Sequence, residues 1–368
     1  MGNFNRLLKE GESVVIEQWL LLHMLRKYCI NDLTVDSSTE RMYGVSSVRK
    51  SNKVPHGKDI LNPDWPEAKW DLGALFVHDN NVFNILDGAK RKYGCILPIK
   101  SVFGCYGVMW SGGRIASNAH SWNCNGWTPE VTIKEYNRRG IGVTFTFSNT
   151  LLKEKHLTDP SSNYLLDLLA KQKYDGNAVA IVSDVLSDYI RKKYPDLKQK
   201  ASICKSTIEM PKRRTLKYYD SLFEKYKEVY LHPDDNLNIK LLEKIAKSGK
   251  VDKYTLLINE RCTINCSIRN DHYDETSKCV IDGWHGMFNF TSGGSKISPS
   301  HPQSICERWS RKELRSCTLS KSELKNIYDL GFRNFKLQGR DRVWSATLYN
   351  FTVWVFEQDC IAEREFTF

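Results

Sequence analysis

Residues 178–207 read AVAIVSDVLSDYIRKKYPDLKQKASICKST, and the order of residue types in this stretch sets the expected fold. Residues 178–182 form a short apolar run of the length of a buried parallel strand. Ser183-Asp184 follows with helix-cap chemistry, 185–193 are amphipathic, and 201–204 open the next apolar run before Lys205-Ser206-Thr207. This is one βα step. It recurs in both directions, with strands expected at 106–110, 142–147, 228–231, 254–258 and 334–337 and a weaker one at 317–319. Helices are expected at 163–172, 185–193, 215–225, 239–247 and 321–330, the last ending at Gly331 in the position of a C′ glycine. Eight strands of this kind predict an α/β fold, a TIM-like (β/α)8 barrel whose polar strand ends collect at one mouth. A doubly wound open sheet is the rival, but no G-x-G-x-x-G follows the first strand.

Working outward, residues 105–350 are assigned to the barrel, with a Cys-rich insertion at 259–317 late in it, and 351–368 to a C-terminal tail. Residues 1–104 read as an N-terminal extension packed on the barrel: an amphipathic helix at 11–29, then an irregular stretch rich in Asn, Asp and Gly and broken by Pro55, Pro63 and Pro66.

The 368 residues are 41% hydrophobic and 26% charged, which excludes a disordered or collagen-like chain. The most apolar stretch, 14–25, is interrupted by Glu17, Gln18 and His23, so no membrane span is expected. The N-terminus lacks the apolar region of a signal peptide, and Arg6 stands where a myristoylation motif needs Ser or Thr. A cytoplasmic location is expected. The formal net charge of +11 favours polyanionic partners such as RNA or DNA, although solvated basic helix faces account for the same excess.

Eleven cysteines in a chain of this type read as thiols and ligands, because an odd number cannot pair fully within one chain. Cys29, Cys95, Cys105, Cys124, Cys204 and Cys360 are scattered among apolar neighbours and read as small buried side chains. Cys262, Cys266, Cys279, Cys306 and Cys317 fall within one segment, and Cys262-x3-Cys266 follows an expected strand directly. Soft thiolates so spaced bind zinc or an iron–sulfur cluster. One knuckle joined to widely spaced single cysteines favours a [4Fe–4S] cluster, with zinc as the alternative.

Polar residues stand where the mouth is expected. Arg114 and Asn149 follow the first two strands, while His232 and Asp234 follow the fifth and Glu260 the sixth. His232, Asp234 and Glu260 are candidates for proton transfer, and Arg114, Asn149, Lys336 and Arg340 for holding an anionic substrate.

Two stretches carry a family resemblance. Residues 324–342, with Gly331 and Lys336-Leu337-Gln338-Gly339-Arg340, resemble the L-x-x-x-G-x-x-x-x-K-I-E-G-R segment of the collagenase-like peptidase family, peptidase family U thirty-two. Asn259-Glu260-x-Cys262-x3-Cys266 before Arg269 and His272-Tyr273 looks like the Cys-bearing loop of divergent members. The resemblance implies a barrel and, by its iron–sulfur branches, a hydroxylase-like enzyme acting on RNA or a small anionic compound. Gln338 replaces the family's Glu, and the first Cys gap is shorter than usual. The family name implies a peptidase as the alternative, but no G-x-S-x-G or H-E-x-x-H is present. A non-catalytic, metal-stabilised barrel that binds nucleic acid or a partner subunit is the third reading. A radical-SAM triplet is absent, since Arg269 stands where its third Cys belongs.

Overall fold

The structure, a computed structural model, describes residues 56–112, 127–211, 214–282, 315–339, 347–348 and 350–356. The expected helix at 11–29, together with Arg114, Cys306 and Arg340, lies outside them.

Eight parallel strands close into a barrel: β1 (Lys69–Leu72), β2 (Ile99–Gly104), β3 (Gly142–Phe147), β4 (Ala178–Ile181), β5 (Lys198–Ala201), β6 (Glu228–Leu231), β7 (Tyr254–Leu257) and β10 (Asn334–Leu337). Closure comes from β1 pairing with β10, Lys69 opposite Asn334 through Leu72 opposite Leu337. Helices α1 (Asp79–Tyr93), α2 (Pro129–Arg138), α3 (Pro160–Lys171), α4 (Asp184–Lys193), α5 (Ile203–Glu209), α6 (Leu216–Leu222), α7 (Ile239–Lys247), α8 (Arg269–Ile281) and α9 (Lys321–Asp329) connect them. Their starts follow capping chemistry: Thr128 and Asp159 accept backbone N–H bonds ahead of Pro129 and Pro160, and Ser320 forms a capping box with Glu323.

The barrel class is as expected, but its first two strands are not where the sequence suggested. Residues 106–110 form no strand. They are apolar because they pack as a loop: Tyr106 stacks on Phe76 with centroids 4.2 Å apart, and buried Trp110 donates its indole N–H to the His156 carbonyl. The real β1 and β2 come from the stretch read as an extension, so the barrel begins at Lys69, not at 105. Residues 317–319 also stay out of the barrel. There β9 (Ser316–Thr318) pairs antiparallel with β8 (Asn259–Thr263) as a separate two-stranded sheet. The strand expected at 201–204 runs instead over Lys198–Ala201, and Ser202 caps α5. Part of the expected tail is core: Phe351, Trp354 and Phe356 are buried, and Trp65 donates to the Trp354 carbonyl at 2.6 Å.

The outward faces of the strands, with Val143, Phe145, Val179, Val229 and Phe335, pack with the helices in the main apolar core. The lumen is ionic. Asp71 on β1 accepts from Ser101 on β2 at 2.8 Å, from Tyr230 on β6 at 3.1 Å and from Lys200 on β5 at 3.5 Å. Strands 5 and 6 are not neighbours of β1, so these bonds cross the barrel axis. Lys200 also lies 3.4 Å from Glu228, which pairs with Lys100 at 2.8 Å. Burial by itself would raise the Asp71 carboxyl, but Lys200, then Lys100 and Lys336, outweigh it and hold the group down at about 2.

Candidate active site at the barrel mouth

The β8–β9 sheet sits over the carboxyl ends of β7 and β10. The Asn259 side chain bonds both the N–H and the carbonyl of Gln338, at 2.7 and 3.0 Å, and Leu319 N–H reaches the Ile258 carbonyl at 2.8 Å. A turn with Asn265 in the left-handed region (φ 54°) then leads into α8. That helix is fixed to the end of β3: Thr150 Oγ1 donates to Asp274 at 2.5 Å, and Asn149 donates to the Ser277 carbonyl. Gly112, at φ 126°, lets α8 come close, since a Cβ there would meet Val280 at 3.0 Å.

Arg269, the first residue of α8, is the hub of what this arrangement gathers. One terminal nitrogen lies 2.7 Å from His232 Nε2; the other donates to Asp234 Oδ1 at 2.9 Å and to the Thr263 carbonyl at 2.7 Å. Cys317 Sγ lies 3.6 Å from the same nitrogen and donates to Asp234 Oδ1 at 3.2 Å. Burial would weaken the guanidinium's charge, but Tyr273, Cys262 and Asp234 keep it firmly protonated. A neutral imidazole accepts at one nitrogen only. Two donors therefore compete for the ring: Arg269 at Nε2, 2.7 Å away, and the Asp234 backbone N–H, which donates to Nδ1 at 3.2 Å, with Asp234 Oδ2 3.6 Å from Nδ1.

Three of the five clustered thiols share this centre, since Arg269 acts electrostatically on Cys262, Cys266 and Cys317 alike. Cys262 donates to Cys266; this bond raises the Cys262 thiol and, with Arg269 assisting, pushes Cys266 down to about 6. Burial first, with Asp234 and Glu260 adding to it, pushes the Cys317 thiol up. Glu260 is buried, accepts the Cys262 N–H at 3.1 Å and bears on both Cys262 and Cys317. Of the proposed residues, the fold thus assembles His232, Asp234, Glu260, Cys262, Cys266 and Cys317. Cys279 lies farther along α8, among Glu275, Lys278 and Asp282. Asn149 is at the mouth, but its amide is engaged by the Met109 and Ser277 carbonyls. Lys336 is the floor residue, its ammonium 3.7 Å from the Phe103 ring centre and 3.9 Å from that of Tyr230.

The hub itself was not among the residues the sequence singled out for chemistry. A lone arginine three residues beyond Cys266 has no motif of its own. The available signal was its place immediately after the thiol pair.

The donor set suits a thiophilic metal group in type. It offers Cys317 beside a guanidinium whose charge also reaches Cys262 and Cys266, and among the described residues Arg269 Nε is buried without a hydrogen-bond partner. Among the described residues, no three or more His, Cys, Asp or Glu side chains are placed to hold a metal ion as they stand. Nor is any described helix long and apolar enough to cross a membrane.

No family profile matches the chain, and no curated protein does. Among solved structures, one described as the U32 peptidase Mk0906 is similar at 13% identity, over 81% of this chain and 97% of that one, with a TM-score of 0.44. A likeness so distant assigns no chemistry to this chain.

Proposed function

We propose that this barrel is an iron–sulfur-dependent, hydroxylase-like modifying enzyme working at its mouth on RNA or a small anionic substrate. The observation that carries the reading is the convergence of Cys262, Cys266 and Cys317 on Arg269 beside His232, Asp234 and Glu260. Those thiols would hold a [4Fe–4S] group, with Cys279 or Cys306 as fourth ligand. Bound there, the group would supply one-electron chemistry. Arg269 would offset the thiolate charge and orient the His232 ring, His232 and Asp234 would carry a proton at the mouth, and Lys336 would draw the substrate anion toward the floor. The resemblance of the Asn259 to Cys266 loop to the family's Cys-bearing loop supports the same reading. A hydrolytic alternative would require an activated nucleophile: burial holds the Cys317 thiol protonated, and Cys266, pushed down to about 6, is the thiol that would have to serve.

The test is anaerobic purification followed by iron, sulfide and zinc analysis and a visible spectrum. Iron and sulfide in equal amounts, absorbance near ~400 nm, and loss of both in a Cys262→Ala/Cys266→Ala variant are expected. Zinc in place of iron would leave a structural centre, and a metal-free protein that stays folded would overturn the reading.

A further inference from the structure

A small pocket opens at the mouth between the ends of β2, β3, β4, β5, β7 and β10, and its lining is uneven in chemistry. Lys336, Gln338, Thr146, Ser148 and Ser202 give it one cation and four neutral polar side chains; Phe103, Ile203 and Leu257 give it an apolar wall. No carboxylate lines it among the described residues. Lys336 is 6% exposed, and the two rings that flank its ammonium favour the charged form.

We propose that this pocket binds the carboxylate end of a small molecule with an apolar body, Lys336 holding the charge and the hydroxyl groups completing its hydrogen bonds. The inference rests on the mouth being a substrate site, and it deepens that reading by naming the group bound. A monoanion fits better than a phosphate dianion for two reasons. The lining contains a single cation and no arginine fork, and Asp71, the register partner of Lys336 on β1, is near enough for their charges to interact, so a second negative charge on the ligand would be repelled. The apolar wall selects a carbon skeleton over a free inorganic anion.

The experiment titrates 2-methylpropanoate, 2-methylpropanamide and inorganic phosphate into the full-length protein by ligand-observed NMR, with iron measured on the same samples. The carboxylate should bind, while the amide and phosphate should be at least about tenfold weaker. Lys336→Met should weaken the carboxylate by about 10- to 150-fold, the range for a charge-assisted contact, and Ser148→Ala by a few-fold, on the order of one neutral hydrogen bond. Should Lys336→Met fail to fold, Leu257→Phe, which fills the apolar side, is expected to abolish binding in a folded barrel. Equal binding of amide or phosphate, or unchanged binding in folded Lys336→Met or Leu257→Phe, would overturn the proposal. Carboxylate binding without iron would overturn the cluster and leave the pocket standing; iron without carboxylate binding would do the reverse.

Discussion

Asp71 and Arg269 each bury a full charge, and their surroundings differ in kind. Deep in the lumen, Asp71 accepts from Ser101, Tyr230 and Lys200 on three different barrel strands, and Lys200 is held in turn by Glu228. At the mouth, Arg269 faces groups that titrate, a histidine, a carboxylate and three thiols, and its Nε lacks a partner among the described residues. The lumen centre rests on strands fixed by the barrel sheet; the mouth centre rests on a two-stranded sheet, a turn and the start of one helix. A closed ionic centre on rigid strands acts as part of the scaffold. An incompletely satisfied one on loops is where chemistry is expected.

The contrast breaks most readily at Asp71. Asp71→Ala leaves Lys200 buried with only Glu228 in direct ion-pair contact and should cost about 3–5 kcal/mol in denaturant unfolding, with much of the loss recovered by pairing it with Lys200→Met. If the single change costs under about 1 kcal/mol, the lumen network is not part of the scaffold. Its pH dependence has a fixed sign. The carboxyl is lower in the folded protein than in the unfolded chain, so its contribution is complete above about pH 4 and fades as pH falls toward 2.

Asp79 gives the opposite sign. Burial, against bonds from Tyr136 and the Phe76 N–H, raises its carboxyl to about 7, so its protonated form is the one the fold favours. Stability from this group is complete below about pH 4 and declines as pH rises through 7. Asp79→Asn keeps the Oδ1 acceptor, and relative to wild type it should gain up to roughly 3–4 kcal/mol at pH 8 and nothing at pH 4. Parallel stability curves for the two proteins across that range would contradict the assignment.

At the mouth, Arg269→Lys keeps a cation but loses the fork that reaches His232, Asp234 and the Thr263 carbonyl together. A loss of about 1.5–3 kcal/mol is expected, with the His232 ring signals shifting in NMR while the barrel spectrum stays intact. A variant that unfolds the whole barrel would place Arg269 in the scaffold beside Asp71. The smallest effect is expected at Thr150→Val, which removes the bonds to Asp274 and Ser277 and should cost about 0.5–1.5 kcal/mol, with faster hydrogen exchange confined to α8.

The strand–helix alternation from residue 142 onward was largely legible because most of those strands are rich in apolar and β-branched residues, as Ala178–Ile181 is throughout and Gly142–Phe147 is apart from Thr144 and Thr146, and most of the helices between them begin at recognisable caps. Lys69–Leu72 and Lys198–Ala201 were not, since Asp71 and Lys200 look like surface residues until each is seen to neutralise the other across the lumen. Tyr106 and Trp110 erred the other way, because apolar composition marks burial and does not separate a strand from a packed loop.

By itself, then, the sequence determined the barrel class, the position of the thiol pair directly after the strand at 254–258, and His232, Asp234 and Glu260 at strand ends, since strand-end position and side-chain type are local properties. Only the tertiary structure decided which strand closes the barrel, that Cys317 belongs to a two-stranded sheet over the mouth, and that Arg269 is the hub. Each of these depends on contacts between residues dozens to hundreds of positions apart, Lys69 with Asn334 and Arg269 with both His232 and Cys317. Such contacts are set by strand register and charge neutralisation in three dimensions, and no spacing along the chain encodes them.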